Sequence, residues 1–92
     1  MKYEDLILIT NPYIVYTKLK NIYPSDSEIK ISTRKNKKYM IYDKIWFHFG
    51  STMEDYTRHG DTKRQIIFLR RNKRWADAYI YSSAYACYTL LW

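Results

Sequence analysis

Between Glu28 and Gly50 the chain lays down three short strand-forming runs with only a few polar residues between them, and this spacing constrains the fold more than any other feature. Glu28-Ile29-Lys30-Ile31-Ser32 alternates with a period of two, the mark of a half-buried strand. Arg34-Lys35-Asn36-Lys37-Lys38 is a polar, basic connection, after which Tyr39-Met40-Ile41-Tyr42 resumes strand character. Asp43-Lys44 makes a second turn, and Ile45-Trp46-Phe47-His48-Phe49 a third run closed by Gly50-Ser51. Three runs at this spacing predict an antiparallel meander. The full length of 92 residues leaves room for one domain. It is too short for a doubly wound nucleotide fold with a substrate domain, or for a barrel of repeated βα units.

Helix signals flank the meander. Thr10-Asn11-Pro12 offers a polar cap followed by proline at the first helical position. A short helix over residues 13–22 would align Val15, Leu19 and Ile22, although its β-branched residues also suit a strand. After the meander, residues 51–60 are polar and irregular, and Asp61 or Thr62 caps a helix running to about Trp75. Tyr79-Ile80-Tyr81 is short and ambiguous. Ser82 or Ser83 caps a last helix from Ala84 to Trp92. The expectation is a single α+β domain over 1–92: a three-stranded antiparallel meander, a basic helix and an aromatic C-terminal helix. Residues 1–27 would form a helical extension to a core over 28–92.

Charge and aromaticity narrow the function classes. Sixteen Lys and Arg against nine Asp and Glu leave a net +7, which favours a polyanionic partner or an acidic protein surface. Aromatics make up 18%, with 11 Tyr among them, and tyrosine suits half-buried surfaces and contacts. A lone cysteine, Cys87, excludes an internal disulfide. No run approaches the ~20 apolar residues of a membrane span, and the start has no signal-peptide pattern, so membrane insertion and export are not expected.

Two basic clusters are candidate polyanion or acidic-surface sites. One is Arg34, Lys35, Lys37 and Lys38; the other is Arg58, Lys63, Arg64, Arg70, Arg71, Lys73 and Arg74. On a helix turning about 100° per residue, Lys63, Arg70 and Arg74 fall within about 20° of one line. Arg64 and Arg71 flank them, while Phe68, Leu69 and Trp75 face the core and Ile67 interrupts the basic face. Phosphate contact, docking on carboxylates and a merely solvated helix face are all compatible with this pattern. Tyr81, Tyr85, Tyr88 and Trp92 stand at i, i+4, i+7 and i+11, one aromatic stripe if the helix reaches back to Tyr81. That stripe is either core or a tail that docks on a partner.

Catalytic and metal chemistry find little footing. The two glycines stand ten apart, so there is no glycine-rich phosphate loop, and neighbouring Glu54 and Asp55 would point apart on a strand. His48, His59, Cys87, Asp55 and Asp61 show neither CxxC nor HxxxH spacing. No enzyme activity, cofactor or metal is expected.

The stretch 32–75 resembles a family of small basic proteins of largely unassigned function from nucleocytoplasmic large DNA viruses of algae and protists. The resemblance rests on Lys37-Lys38-Tyr39-Met40-Ile41-Tyr42-Asp43, His48-Phe49-Gly50, Asp55-Tyr56-Thr57, His59, Asp61, Lys63-Arg64, Phe68, Arg71 and Leu90-Leu91-Trp92. Gly60 departs from a common Lys, and Lys63 from a common Arg. Ile, Lys, Asn and Tyr total 36 residues against eight Gly, Pro and Ala, a bias that fits an AT-rich genome. The resemblance implies a viral protein and no catalytic residue. Its physical content is a fold signature: Gly50 for the turn, Asp55 and Thr57 for local backbone bonds, Asp61 for the cap. The expected role is a non-enzymatic virion component of minor capsid or cement type, located in the particle and in host cytoplasm during assembly. Its expected partners are other virion proteins or further copies of itself. The alternative is a nucleic-acid-binding accessory or packaging protein that contacts DNA.

Overall fold

The computed structural model describes all 92 residues, Met1–Trp92. One helical turn, α1 (Tyr3–Leu6), precedes the longer α2 (Pro12–Ile22). Asn11 starts α2: its side-chain oxygen accepts from the amides of Tyr13 and Ile14 at 3.1 and 3.3 Å. Pro12 takes the first position, where a missing N–H removes no intrahelical bond. The β-branched residues do not divert this segment into a strand, because Val15 and Leu19, four apart on one face, are both fully buried. The residues before Glu28 are therefore no mere extension. Leu6, Val15, Leu19 and Tyr23 belong to the same core cluster as Ile41 and Phe49 of the sheet.

The meander forms as its spacing predicts. Strands β1 (Ile29–Ile31), β2 (Tyr39–Asp43) and β3 (Ile45–Phe49) pair antiparallel in the order β1-β2-β3. The second turn is so tight that Asp43 and Ile45 are cross-strand partners, with Lys44 alone at the tip in the left-handed region at φ +66°. Register places Ile29, Ile41 and Phe47 in one cross-strand row and Ile31, Tyr39 and Phe49 in another. Both rows face the core. The alternate rows, Lys30-Met40-His48 and Tyr42-Trp46, lie on the opposite face, outside the core cluster. The buried apolar residues of the helices, Leu6, Val15, Leu19 and Ala86, cluster with the inner rows, and none of the outer-row side chains joins that cluster.

After the sheet come α3 (Tyr56–His59), α4 (Thr62–Arg71), a 3-10 turn over Lys73–Asp77, α5 (Ser83–Ala86) and a π-helical turn over Cys87–Leu91. This is an α+β fold whose core joins α2, the inner sheet face and the C-terminal segment through Leu6, Leu19, Ile41, Phe49, Leu90 and Leu91. Burying each such side chain contributes about 1.5–3 kcal/mol. Gly50 closes the sheet at φ +86°, and a Cβ there would meet Leu91 Cδ1 at 3.0 Å and Lys38 Cβ at 3.2 Å. Only glycine lets the C-terminal segment lie this close to the strand end.

Two helices end earlier than their sequence patterns predict. The basic helix stops at Arg71, where the backbone and side-chain amides of Asn72 both donate to the Phe68 carbonyl at 3.0 Å and the chain tightens into the 3-10 turn. The C-terminal helix is regular only from Ser83 to Ala86, with Ser82 as its cap, and then widens. Thr89 contributes to that widening: its hydroxyl donates to the Tyr85 carbonyl at 2.8 Å, in competition with the backbone ladder.

Candidate polyanion interface

Helix α4 is largely exposed. Asp61 caps it, accepting from the amides of Lys63 and Arg64 at 3.0 and 3.2 Å. No residue of α4 is fully buried. Its inner face, Gln65, Phe68, Leu69 and Asn72, is half-buried at i, i+3, i+4 and i+7 spacing. Phe68 stacks on Trp92 with ring centres 4.3 Å apart and planes within 8°, and Gln65 Nε2 donates to the Trp92 carbonyl oxygen at 2.8 Å. Lys63, Arg64, Arg70 and Arg71 project from the exposed side, with Ile66 and Ile67 exposed between them. Arg74 does not extend this line. It sits in the 3-10 turn beyond Asn72, so the single stripe of Lys63, Arg70 and Arg74 is broken. Lys73 lies in the same exposed turn, and Arg58 is exposed in the last turn of α3.

The loop before β2 supplies a second group, with one correction. Arg34 and Lys35 are exposed and Lys37 is half-buried, but Lys38 is not a surface cation. Its side chain is 2% exposed, and its Nζ lies 3.0 Å from Asp55 Oδ2, itself buried. Lys38 stands just before β2, its amide shared between the Phe49 and Gly50 carbonyls, and against the strand's alternation it is packed beneath Gly50, where a carboxylate balances it. Asp55 in turn caps α3, accepting from the Thr57 amide at 2.9 Å and from the Thr57 hydroxyl. Thr57 Oγ1 accepts from the Asn11 amide at 2.9 Å and lies 3.2 Å from Thr10 Oγ1, which lies 3.1 Å from the Tyr39 hydroxyl. With Thr57 donating to the carboxylate, the chain has one direction: Tyr39 donates to Thr10 and Thr10 to Thr57. Desolvation by burial pushes the Tyr39 phenol well above its ordinary range, which keeps it a donor.

The open face of the sheet adds residues that charge clustering does not identify. Tyr42 and Trp46 are cross-strand partners with ring centres 5.4 Å apart, and Tyr42 is 48% exposed. Lys30 Nζ sits 5.2 Å from the centre of the Trp46 ring. In the next row, His48 Nδ1 is 2.6 Å from Ser32 Oγ, which accepts from the Arg34 amide at 3.0 Å. With Nδ1 unprotonated the Ser32 hydroxyl donates to it; with Nδ1 protonated Ser32 Oγ accepts a second bond. Partial burial, then the Arg34 and Lys37 charges, hold the His48 imidazole below its ordinary value. Strand alternation places these side chains on one face, but both faces of β2 are apolar, so alternation alone does not say which is covered.

The C-terminal aromatics serve their own fold. Tyr81 precedes α5 instead of extending it, so the continuous helical stripe does not form. Tyr81 and Tyr85 pack against Tyr23 at 5.8 and 6.2 Å, and the Tyr23 hydroxyl donates to the Ile80 carbonyl at 2.6 Å. Tyr88 is half-buried, and Trp92 is held by Phe68. Three of the four rings, Tyr81, Tyr85 and Trp92, thus pack on their own fold, and all four remain half-exposed. His59 ties the preceding turn: its Nδ1 accepts from the Asp61 amide at 2.8 Å, and its ring lies 5.3 Å from Trp92. A cleft of about 400 Å3 is lined by Lys37, Phe68, Trp75, Cys87 and Trp92 among others. Burial raises the Cys87 thiol, so it is held in the unreactive protonated form. No three His, Cys, Asp or Glu side chains converge as metal ligands, and no helix is long and apolar enough to cross a membrane.

The geometry defines a class: a small α+β domain with cations and aromatic rings on its outer surface. The chain belongs to a protein family of unknown function, DUF5754, whose model matches residues 21–72. That span runs from the end of α2 through the whole sheet to Asn72, and so takes in the loop cations, the open face and the second basic group except Lys73 and Arg74. No curated protein and no solved structure matches the chain.

Proposed function

We propose that this is a non-enzymatic binding protein whose basic surface engages a polyanion, with nucleic acid the favoured ligand. One observation carries the reading: of the 16 Lys and Arg, only Lys38 and Arg64 lie within 4.0 Å of a carboxylate, and Arg64 only at 3.9 Å from Glu54. A solvated helix face in an ordinary domain intersperses charges of both signs. Here α4 carries Lys63, Arg64, Arg70 and Arg71 with no acidic residue along its length. Such a surface lowers its free energy by taking up phosphates and releasing their counterions.

The test is a titration with a labelled oligonucleotide across salt concentrations. Affinity falls with a log–log slope of about −0.7 per phosphate contacted on a single strand. Arg70→Ala with Arg71→Ala flattens that slope by about 1.4. Absent or salt-insensitive binding overturns the reading.

A second reading, a minor capsid or cement-type component of a large DNA virus particle, is supported by exposed apolar side chains. Tyr13, Ile45, Met53 and Tyr79 are each more than 60% exposed, which suits burial against neighbouring proteins or copies. It requires the chain among the proteins of purified particles; absence from them excludes it.

A further inference from the structure

Resting on the nucleic-acid reading, we propose that the open face of the sheet is a stacking platform for unpaired bases, with Tyr42 and Trp46 as its rings and the surrounding cations as its phosphate contacts. The two rings lie in one cross-strand row on the face that no helix covers, and neither belongs to the core. The adjacent row, Lys30-Met40-His48, lies two residues along each strand. Two residues of strand rise about 7 Å, roughly the stride of an extended single strand. Bases laid along the strands would meet Tyr42 and Trp46 first and the Met40-His48 row next.

Charge selects the occupant. Lys30, Lys44 and the Arg34-Lys35-Lys37 loop border this face, with Arg34 and Lys37 close enough for their charges to act on His48, against Glu28, Asp43 and, in the hollow beside Glu28 and Lys30, Asp26. None of the five cations has a carboxylate partner within 4.0 Å. Lys44 is held at the tip of the turn by its left-handed backbone, and Lys30 already lies over the Trp46 ring. A base that stacks on Trp46 displaces that ammonium toward its own phosphate, exchanging one weak contact for a charge-assisted one. A duplex hides its base faces and would meet only the cations. The occupant is therefore a single strand, bound with little sequence preference, because every base has a π-face.

The experiment uses the full chain and three labelled probes of equal phosphate number: an oligothymidylate roughly ten nucleotides long, its abasic phosphodiester counterpart, and a duplex. Wild type binds the oligothymidylate about tenfold or more tighter than the abasic probe. Tyr42→Ala and Trp46→Ala each lower that affinity by about tenfold while leaving the abasic probe and the salt slope unchanged. Trp46→Phe retains most of the affinity, and circular dichroism establishes that each variant is folded. Equal binding of abasic and base-bearing probes, or unaltered binding by the folded alanine variants, overturns the platform. If Arg70→Ala with Arg71→Ala still weakens all three probes, the polyanion reading survives that outcome. If no probe binds wild type, both fall.

Discussion

The loop before β2 and helix α4 are the two most basic stretches of the chain, and the fold treats their charges in opposite ways. The loop turns one of its cations inward: Lys38 is buried against Asp55, within a chain of hydroxyls that reaches Thr10 and Tyr39. Helix α4 turns none inward, and no residue of it is fully buried. The difference lies in the surroundings, not the residue type. Lys38 precedes Tyr39, which pairs with β3, and is packed beneath Gly50, so its ammonium has no route to water and must meet a carboxylate. The α4 cations stand on a helix held mainly by one aromatic stack and one side-chain hydrogen bond. The Lys38 pair joins segments that are 17 residues apart, and the Thr10–Tyr39 bond ties the N-terminal segment to the sheet. One basic stretch thus contributes to the architecture, while the other remains available for contact.

Four changes would break or sharpen this contrast. The largest effect is expected at the buried pair. Lys38→Met leaves the Asp55 carboxylate without its partner and destabilises the fold by about 3–5 kcal/mol, read as a lower urea midpoint. A loss below about 1 kcal/mol would place Lys38 with the surface cations after all. Next, Phe68→Ala removes the stack on Trp92 and loosens α4, at a cost of about 2 kcal/mol. Hydrogen exchange should show that loss as deprotection confined to α4 and its neighbours, whereas deprotection spread evenly would mean that α4 is integral to the core.

A smaller effect concerns pH. The folded state holds the His48 imidazole below its ordinary value of 6.5, so it binds fewer protons than the unfolded chain. The stability contributed by His48 is fully present above about pH 6.5 and is lost as pH falls through the lower folded value. Urea midpoints at about pH 7.5 and about pH 5 should differ in that direction, and His48→Gln should reduce the difference. The smallest stability effect belongs to Arg70→Ala with Arg71→Ala, within about 0.5 kcal/mol of wild type in thermal unfolding. A larger loss would show that these exposed cations also support the fold.

Local signals carried much of this architecture. The meander, the Asn11-Pro12 start of α2, the Asp61 cap and the turn at Gly50 all depend on side chains acting on backbone within a few residues, and all are legible in order along the chain. The ends of the later helices are less legible, because the side chains of Asn72 and Thr89 add bonds to the Phe68 and Tyr85 carbonyls that a periodicity argument does not see. At the candidate site, Lys63, Arg64, Arg70 and Arg71 are where the helical pattern puts them. Lys38 is not, since a run of basic residues has no mark for the one that will meet a distant carboxylate. Tyr42 and Trp46 carry no mark of exposure in the sequence, because β2 and β3 are apolar on both faces.

The residues by themselves therefore determined the class of fold, the sites of most caps and turns, and a basic excess too large for the chain's own carboxylates to balance. Tertiary structure decided which face of the sheet the helices cover, which lysine is buried, and whether the C-terminal tyrosines pack inward or outward. The physical reason is range. Caps, turns and alternation act over a few residues and can be read in sequence order, whereas burial depends on which segments meet. The segments that settle these questions, Lys38 with Asp55, Thr10 with Tyr39, and Tyr23 with Tyr81 and Tyr85, are brought together only by the closed core.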